Sequence, residues 1–178
     1  MARHGKNARA LAAFGVALLV VIADRISKIA IQHAVSLFDS ISVVPGWLRI
    51  IHTENPGAAF GVLAEGNAWL RSAVLIGISG LVMVFVASAL WRAGSSLQGA
   101  ATRWGLACIL GGAAGNLYDR VLRGTVTDFI EVYHGTWSFP AFNVADSAIT
   151  VGAFLLIIDL LRPRSKRAGE QASLQRSN

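Results

Sequence analysis

The sequence predicts a mainly α-helical membrane protein with four transmembrane helices, a small extracytoplasmic β-sheet cradle and an interfacial segment. The 178 residues are 54% hydrophobic with a mean hydropathy of +0.54, which is too apolar for an ordinary soluble domain. Four apolar stretches approach or reach the length that crosses a bilayer, at residues 11–32, 69–90, 102–118 and 144–161. We therefore treat residues 1–178 as a single integral membrane domain.

The first predicted helix, residues 11–32, follows a short basic segment and is about 33 Å long as an α-helix. A cleaved signal peptide is the competing interpretation, because a basic start before an apolar run fits that pattern too. The apolar periodicity resumes at residues 29–31 and no clean cleavage box appears, which favours the helix. Asp24 and Lys28 lie four residues apart, so we expect an intrahelical ion pair with Lys28 snorkelling outward.

Residues 34–67 form the first predicted extracytoplasmic segment. Residues 41–44 and 47–52 are rich in β-branched and aromatic side chains and predict two short strands around Pro45-Gly46. The segment continues into a turn-like Glu54-Asn55-Pro56-Gly57, where an ordinary turn asparagine is one interpretation of Asn55. Beyond it, Ala58, Ala59 and Gly61 around Phe60 would let a peptide or another segment approach the backbone closely.

The second predicted helix, 69–90, has Arg71 near its start, where the side chain can snorkel to the interface. In the third, 102–118, Gly111 and Gly115 form a small-xxx-small pair that favours close helix packing. Three polar residues at its end share one helical face at spacings of three and four: Asn116, Asp119 and Arg120. A capping and salt-bridge cluster that anchors the helix end is the structural alternative for these three.

Within the second extracytoplasmic segment, 119–143, residues 123–142 are predicted to form an interfacial amphipathic stretch with an aromatic belt at Trp137, Phe139 and Phe142. Asn143 is the predicted N-cap of the fourth helix, 144–161. Asp146 falls in the first turn, where the helix dipole alone would favour a carboxylate. Asp159 lies three residues before Arg162 and predicts a surface ion pair, and the tail 163–178 is basic and polar.

The basic residues predict the orientation. Under a four-helix topology, ten of the sixteen Lys and Arg residues fall on one side, in the N-terminal segment, the loop after the second helix and the C-terminal tail. The positive-inside rule places both termini in the cytoplasm. Segments 34–67 and 119–143 then face the opposite compartment together. The same clustering gives little support to nucleic-acid binding.

Residues 111–149 carry four of the ten acidic residues near a predicted membrane face: Asp119, Asp128, Glu131 and Asp146. Ionisable groups at that depth are functional candidates by default, and we single out Asp128 and Asp146. Two close carboxyl groups cannot easily both ionise, so one holds a proton while the other can activate water against an amide carbonyl. We assign the negative charge to Asp146 and the proton to Asp128. The reverse assignment also stays open.

The residues alone also fit two other classes of protein. One is a proton or ion pathway lined by acids, and the other is an assembly protein that uses its polar residues only for helix pairing. The sequence offers few residues for other kinds of catalysis. Cys108 sits alone inside an apolar helix, and there is no serine nucleophile elbow or HExxH motif. His52 and His134 are too scattered to indicate a metal, so we expect neither metal nor cofactor.

Five short motifs occur between residues 11 and 162: Asp24 to Lys28, Asn55 to Phe60 (NPGAAF), Gly111 to Arg120 (GGAAGNLYDR), Val126 to Phe129 (VTDF) and Phe139 to Ile149 (FPAFNVADSAI). In these motifs and their order, the sequence resembles the lipoprotein signal peptidase family, the bacterial signal peptidase II family of membrane aspartic proteases. Arg25 lies within the first motif but outside its pattern.

The resemblance implies a bacterial cytoplasmic (inner) membrane protein with its active site at the outer face. Its substrate would be a prolipoprotein, cut just before a cysteine that already carries a diacylglyceryl group. Asp128 and Asp146 would be the catalytic pair. The supporting residues would be Asp24, Lys28, Asn55, Gly57, Asn116, Asp119, Arg120 and Asn143. Besides the precursor and membrane lipids we expect no partner, no nucleic acid and a monomeric enzyme.

Overall fold

The computed structural model describes residues 2–37, 39–57, 67–93 and 99–161. It contains four helices and four strands, in the order α1 (Ala2–Ala34), β1 (Ser40–Val44), β2 (Leu48–Asn55), α2 (Ala68–Ala93), α3 (Ala100–Arg123), β3 (Val126–His134), β4 (Trp137–Ser138) and α4 (Val144–Leu161). The predicted small-residue segment around Phe60 and the basic tail 163–178 lie outside the described residues.

Helix α3 is the centre of the bundle and packs against α1, α2 and α4. Its glycines explain this position. A Cβ atom on Gly111 would lie 2.5 Å from the backbone oxygen of Ala17 in α1, and one on Gly112 would lie 2.3 Å from that of Ala145 in α4. The predicted close packing at Gly111 and Gly115 is therefore present, with Gly115 facing Asp24 of α1.

Three of the described helices are long and apolar enough to cross a membrane: Ala8–Ala34 in α1, Trp69–Trp91 in α2 and Val144–Leu161, which is α4. The fourth predicted span, residues 102–118, lies in α3, which is not among them. The hydropathy of α3 is lowered by its glycines and by the charged residues near both ends. Length and composition thus support three spans, and the predicted four are not confirmed.

The four strands form one antiparallel sheet in the order β1-β2-β3-β4. The two strands expected at residues 41–44 and 47–52 are β1 and β2, and β2 runs on to Asn55. Asn55 is therefore a strand residue, with Val126 of β3 as its partner.

Residues 123–142 differ from the interfacial amphipathic stretch that the sequence predicted. Helix α3 continues to Arg123, beyond its predicted end at residue 118, and residues 126–134 form β3. The β-branched and aromatic side chains of Val126, Phe129 and Ile130 suit a strand that has β2 as a neighbour. The ends of α1 and α3 contact β3, so the sheet lies at the end of the bundle where α4 begins.

Candidate active site

Asp146 is fixed by the N-terminus of α4. Its backbone NH donates a hydrogen bond to Asn143 Oδ1 at 2.9 Å, while its own Oδ2 accepts one from the backbone NH of Asn143 at 3.3 Å. This reciprocal arrangement is a capping box, and it confirms Asn143 as the N-cap. The carboxylate is therefore held near the positive end of the helix dipole, and it is only half-buried.

Asp128 projects from β3 and is only 3% exposed. Its Oδ2 accepts a hydrogen bond from Asn55 Nδ2 at 3.0 Å, and its Oδ1 accepts one from Asn143 Nδ2 at 2.7 Å. Asn143 therefore contacts both Asp128 and Asp146. The fold thus joins two carboxyl groups that are eighteen positions apart in the sequence through a single residue, whose side chain binds one carboxyl group and whose backbone NH binds the other.

The surroundings of Asp128 favour its protonated form. Burial is the largest cause, and the neighbouring Asp146 acts in the same direction, so the pKa of Asp128 rises to about 6. The hydrogen bonds from Asn55 and Asn143 favour the ionised form and limit the rise. One carboxyl group of this pair therefore holds a proton at a pH where an ordinary aspartate is ionised.

Asn116 connects Asp146 to a buried charge cluster. Its Nδ2 donates to Asp146 Oδ1 at 2.7 Å, and its Oδ1 accepts from Lys28 Nζ at 3.1 Å. The Lys28 ammonium also lies 2.8 Å from Asp24 Oδ2 and 2.8 Å from Asp119 Oδ2. The predicted Asp24–Lys28 pair is present, but Lys28 is fully buried and points into the bundle instead of snorkelling outward. The reason is that α3 supplies two further polar partners, Asn116 and Asp119.

Asp24 gives the cluster a second connection to α4. Its Oδ1 accepts a hydrogen bond from the backbone NH of Ala145 at 3.0 Å. The first NH groups of a helix have no partner within the helix, so a buried helix end requires acceptors of this kind. Asp24 and Asn143 thus accept hydrogen bonds from the NH groups of Ala145 and Asp146, and Asp24 connects the start of α4 to α1.

Arg25 is a residue that the sequence interpretation set aside. Its guanidinium forms an ion pair with Asp119 and lies over the ring of Tyr118, 4.6 Å from the centroid. The cluster thus holds two acids and two bases, Asp24, Asp119, Lys28 and Arg25. No spacing within α1 could have indicated this role, because both partners of Arg25 belong to α3.

Two further predicted residues surround the pair. Gly57 has a φ of +87°, and its NH donates to Asn55 Oδ1 at 2.8 Å, which turns the Asn55 amide NH₂ toward Asp128. Arg120 is half-buried, and its charge interacts with Asp146, Asp128 and Asp119. Among the described residues its Nε has no hydrogen-bond partner. Hydrogen bonds or ion pairs therefore join nine of the ten predicted site residues, and Arg120 acts on this polar region through its charge.

Asp159 does not belong to this region. It lies in α4 and accepts a hydrogen bond from Thr102 Oγ1 of α3. The predicted partner, Arg162, falls outside the described residues. This contact joins α3 and α4 far from Asp146, near the opposite ends of the two helices.

Comparison with known proteins shows which proteins this chain resembles. A family model described as signal peptidase (SPase) II matches residues 16–162. The lipoprotein signal peptidase of Solibacter usitatus is 45% identical over 156 residues, covering 88% of this chain and 94% of that protein. The lipoprotein signal peptidase of Pseudomonas syringae pv. tomato is 44% identical over 164 residues, covering 90% of each.

Solved structures are also similar to this chain. Two bacterial membrane enzyme structures, determined by the in meso method, align with a TM-score of 0.72 at 32% identity. The first alignment covers 84% of this chain and 87% of the other, and the second covers 85% and 93%. The sequence motifs, the fold and these relatives lead to one conclusion: this chain belongs to the signal peptidase II family.

Proposed function

We propose that this protein is a membrane aspartic endopeptidase that removes the signal peptide from diacylglyceryl-modified prolipoproteins by cutting before the lipidated cysteine. The observation that carries the proposal is the contact of Asn143 with both Asp128 and Asp146. The names of the relatives supply the substrate class, since they are lipoprotein signal peptidases.

The two carboxyl groups would divide the chemistry between them. Asp146, half-buried at a helix N-terminus, takes a proton from water while the water oxygen bonds to the scissile carbonyl carbon. Asp128 donates its proton to the carbonyl oxygen. The C–N bond then breaks, the nitrogen leaves with the proton that Asp146 took, and Asp128 recovers a proton from the hydroxyl that becomes the new carboxyl group. The reverse assignment uses the same atoms.

The remaining site residues would support this pair. Asn55 and Gly57 orient the Asp128 carboxyl group, and Asn116 orients that of Asp146. The buried cluster of Asp24, Lys28 and Asp119 fixes the ends of α1, α3 and α4 relative to one another. Arg120 adds a positive charge beside the developing negative charge on the carbonyl oxygen.

We also propose that α3 is a fourth transmembrane span. It has 24 residues, about 36 Å as a helix, and it packs against all three of the more apolar helices. Because β2 precedes α2 and pairs with β3, which follows α3, the chain must leave the sheet end and return to it. Four spans put both termini in the cytoplasm and the pair at the outer face of the inner membrane.

The position of the site would suit a lipidated substrate. Both the signal helix and the acyl chains of such a precursor are apolar and remain in the bilayer, so the reacting groups must meet them at its boundary. Trp137 and Phe139 are 58% and 50% exposed on the segment between β3 and α4. Aromatic side chains of this kind are enriched at the headgroup level of membranes.

The substrate proposal predicts dependence on the lipid. Purified protein in detergent, without a proton gradient, should cut a precursor peptide immediately before its diacylglyceryl cysteine. The same peptide without the lipid should react with a kcat/KM at least about 100-fold lower, because each buried CH₂ contributes about 0.8 kcal/mol to binding. Mass spectrometry of the products measures both rates. Equal rates for the two peptides would contradict the substrate class, and a requirement for a proton gradient would favour a transporter.

A further inference from the structure

A second polar cluster lies on the face of the sheet opposite Asp128. Side chains alternate between the two faces of a strand, so Thr53 and its partner Asp128 share one face while Glu54 and its partner Thr127 share the other. Glu54 Oε1 accepts a hydrogen bond from Thr127 Oγ1 at 2.8 Å, and its Oε2 accepts one from Thr125 Oγ1 at 2.7 Å. Glu54 thus joins β2 to β3 and to the turn that follows α3.

The same cluster reaches α1. Thr127 Oγ1 accepts a hydrogen bond from Gln32 Nε2 at 2.7 Å. His52 lies 3.3 Å from Glu54 Oε1 through Nε2 and 2.8 Å from the backbone oxygen of Val35 through Nδ1. Both atoms that face the imidazole are acceptors, so the ring donates in both contacts only when both nitrogens carry protons. The Glu54 side chain therefore contacts β2, β3 and the α3–β3 turn directly, and α1 reaches the cluster through Gln32 and Thr127.

The charge on Glu54 is stabilised by these contacts. Burial alone would raise the pKa of this carboxyl group. The hydrogen bonds from Thr125, Thr127 and His52 outweigh burial and hold the pKa below its ordinary value. An ionised Glu54 accepts hydrogen bonds from all three donors at once, and these charge-assisted bonds connect the neighbouring strands strongly.

Glu54 lies next to Asn55, at an irregular part of the β2–β3 ladder. The register of β2 against β3 shifts between Ile50 and Thr53, which is a β-bulge or irregularity in the ladder. Asn55, which donates to Asp128 Oδ2, comes only two residues after Thr53. Beyond Asn55 the strand ends, so a short piece of β2 carries this contact.

We propose that Glu54 is a positioning residue: its bonds to Thr125 and Thr127 hold the end of β2 so that the Asn55 amide stays on Asp128. The proposal rests on the proposed function. Glu54 itself touches neither carboxyl group of the pair. It acts through its chain neighbour Asn55 and through Thr127, the chain neighbour of Asp128.

Glu131 supplies a matched control. It lies on the same face of β3 as Thr127, is 9% exposed and forms an ion pair with its cross-strand partner Arg49. Glu54→Ala and Glu131→Ala each remove one acidic side chain that joins β2 to β3, but only Glu54 is adjacent to Asn55. A general loss of sheet stability would affect both variants.

The test compares wild type, Glu54→Ala, Glu54→Gln and Glu131→Ala with the lipidated precursor peptide across a pH series. Displacement of a catalytic contact by about 1 Å can cost about 100-fold in rate, so we expect the kcat of Glu54→Ala to fall about 10-fold to 100-fold with a much smaller change in KM. The hydrogen bond from Asn55 lowers the pKa of Asp128, so the alkaline fall in kcat/KM should move to higher pH. Glu54→Gln keeps one acceptor oxygen and should lose less activity, with the same direction of pH shift.

The possible results separate the positioning role of Glu54 from the proposed function. A wild-type kcat and pH profile in Glu54→Gln, or an equal loss of kcat with an equal pH shift in Glu131→Ala, would overturn the positioning role. If Glu54→Ala does not fold, the Gln variant still gives the answer. Failure of the wild-type protein to cut the peptide would instead overturn the proposed function, so the two failures are distinct.

Discussion

Replacing either Asp128 or Asp146 by Asn is expected to lower kcat for the lipidated precursor by about 1,000-fold or more. Asn has nearly the shape of Asp but can neither accept the proton of water nor give one to the carbonyl oxygen. Loss of one member of a catalytic unit removes most of what the unit contributes, so the double variant should be little worse than either single one. Initial rates of product formation measure all three variants.

Two checks accompany this experiment. Asp39→Asn is the matched control, because Asp39 is an exposed residue between α1 and β1 and should retain the wild-type rate. The thermal unfolding temperature of each variant shows whether the fold persists. Product formed by Asp128→Asn or Asp146→Asn at the wild-type rate would contradict an enzyme that uses this pair, and would favour a structural role for these acids.

Replacing Lys28 by Met is expected to cause the largest loss of stability. The Lys28 ammonium is buried between Asp24 and Asp119 and also donates to Asn116. Its removal leaves two buried carboxylates without their shared cation, and breaking a buried ion pair in this way costs about 3–5 kcal/mol. For a chain of this size each kcal/mol corresponds to about 2–4 °C, so the unfolding temperature should fall by about 10 °C.

Thermal unfolding of the detergent-purified protein measures this effect. Arg25→Met is the comparison variant. Arg25 also pairs with Asp119 but is partly exposed, so its loss should cost less. An unfolding temperature for Lys28→Met equal to that of wild type would contradict the structural role of the cluster.

The sequence predicted the features that depend on local pattern. Apolar length identified α1, α2 and α4, and β-branched residues around Pro45-Gly46 identified β1 and β2. The N-cap at Asn143 was readable because capping depends on residues within one turn. The pairing of Asp128 with Asp146 came from chemistry and family resemblance, since eighteen intervening positions specify no contact.

The features that the sequence did not predict depend on contacts between distant segments. Strand β3 is stable because β2 lies beside it, and the sequence around Val126 contains no sign of that neighbour. Lys28 turns inward because α3 offers it Asn116 and Asp119, some ninety residues later. Glu54 was interpreted as part of a turn, whereas Thr125 and Thr127 make it a connection between strands.

The proposed mechanism depends on one proton held jointly by Asp128 and Asp146, and the pH dependence of kcat/KM tests it most directly, because this ratio reports ionisations of the free enzyme. With the pKa of Asp128 at about 6, we expect kcat/KM to fall as the pH rises through about 6 and Asp128 loses its proton. A constant kcat/KM from about pH 4 to pH 8, or a profile that persists unchanged in Asp128→Asn, would contradict the shared proton.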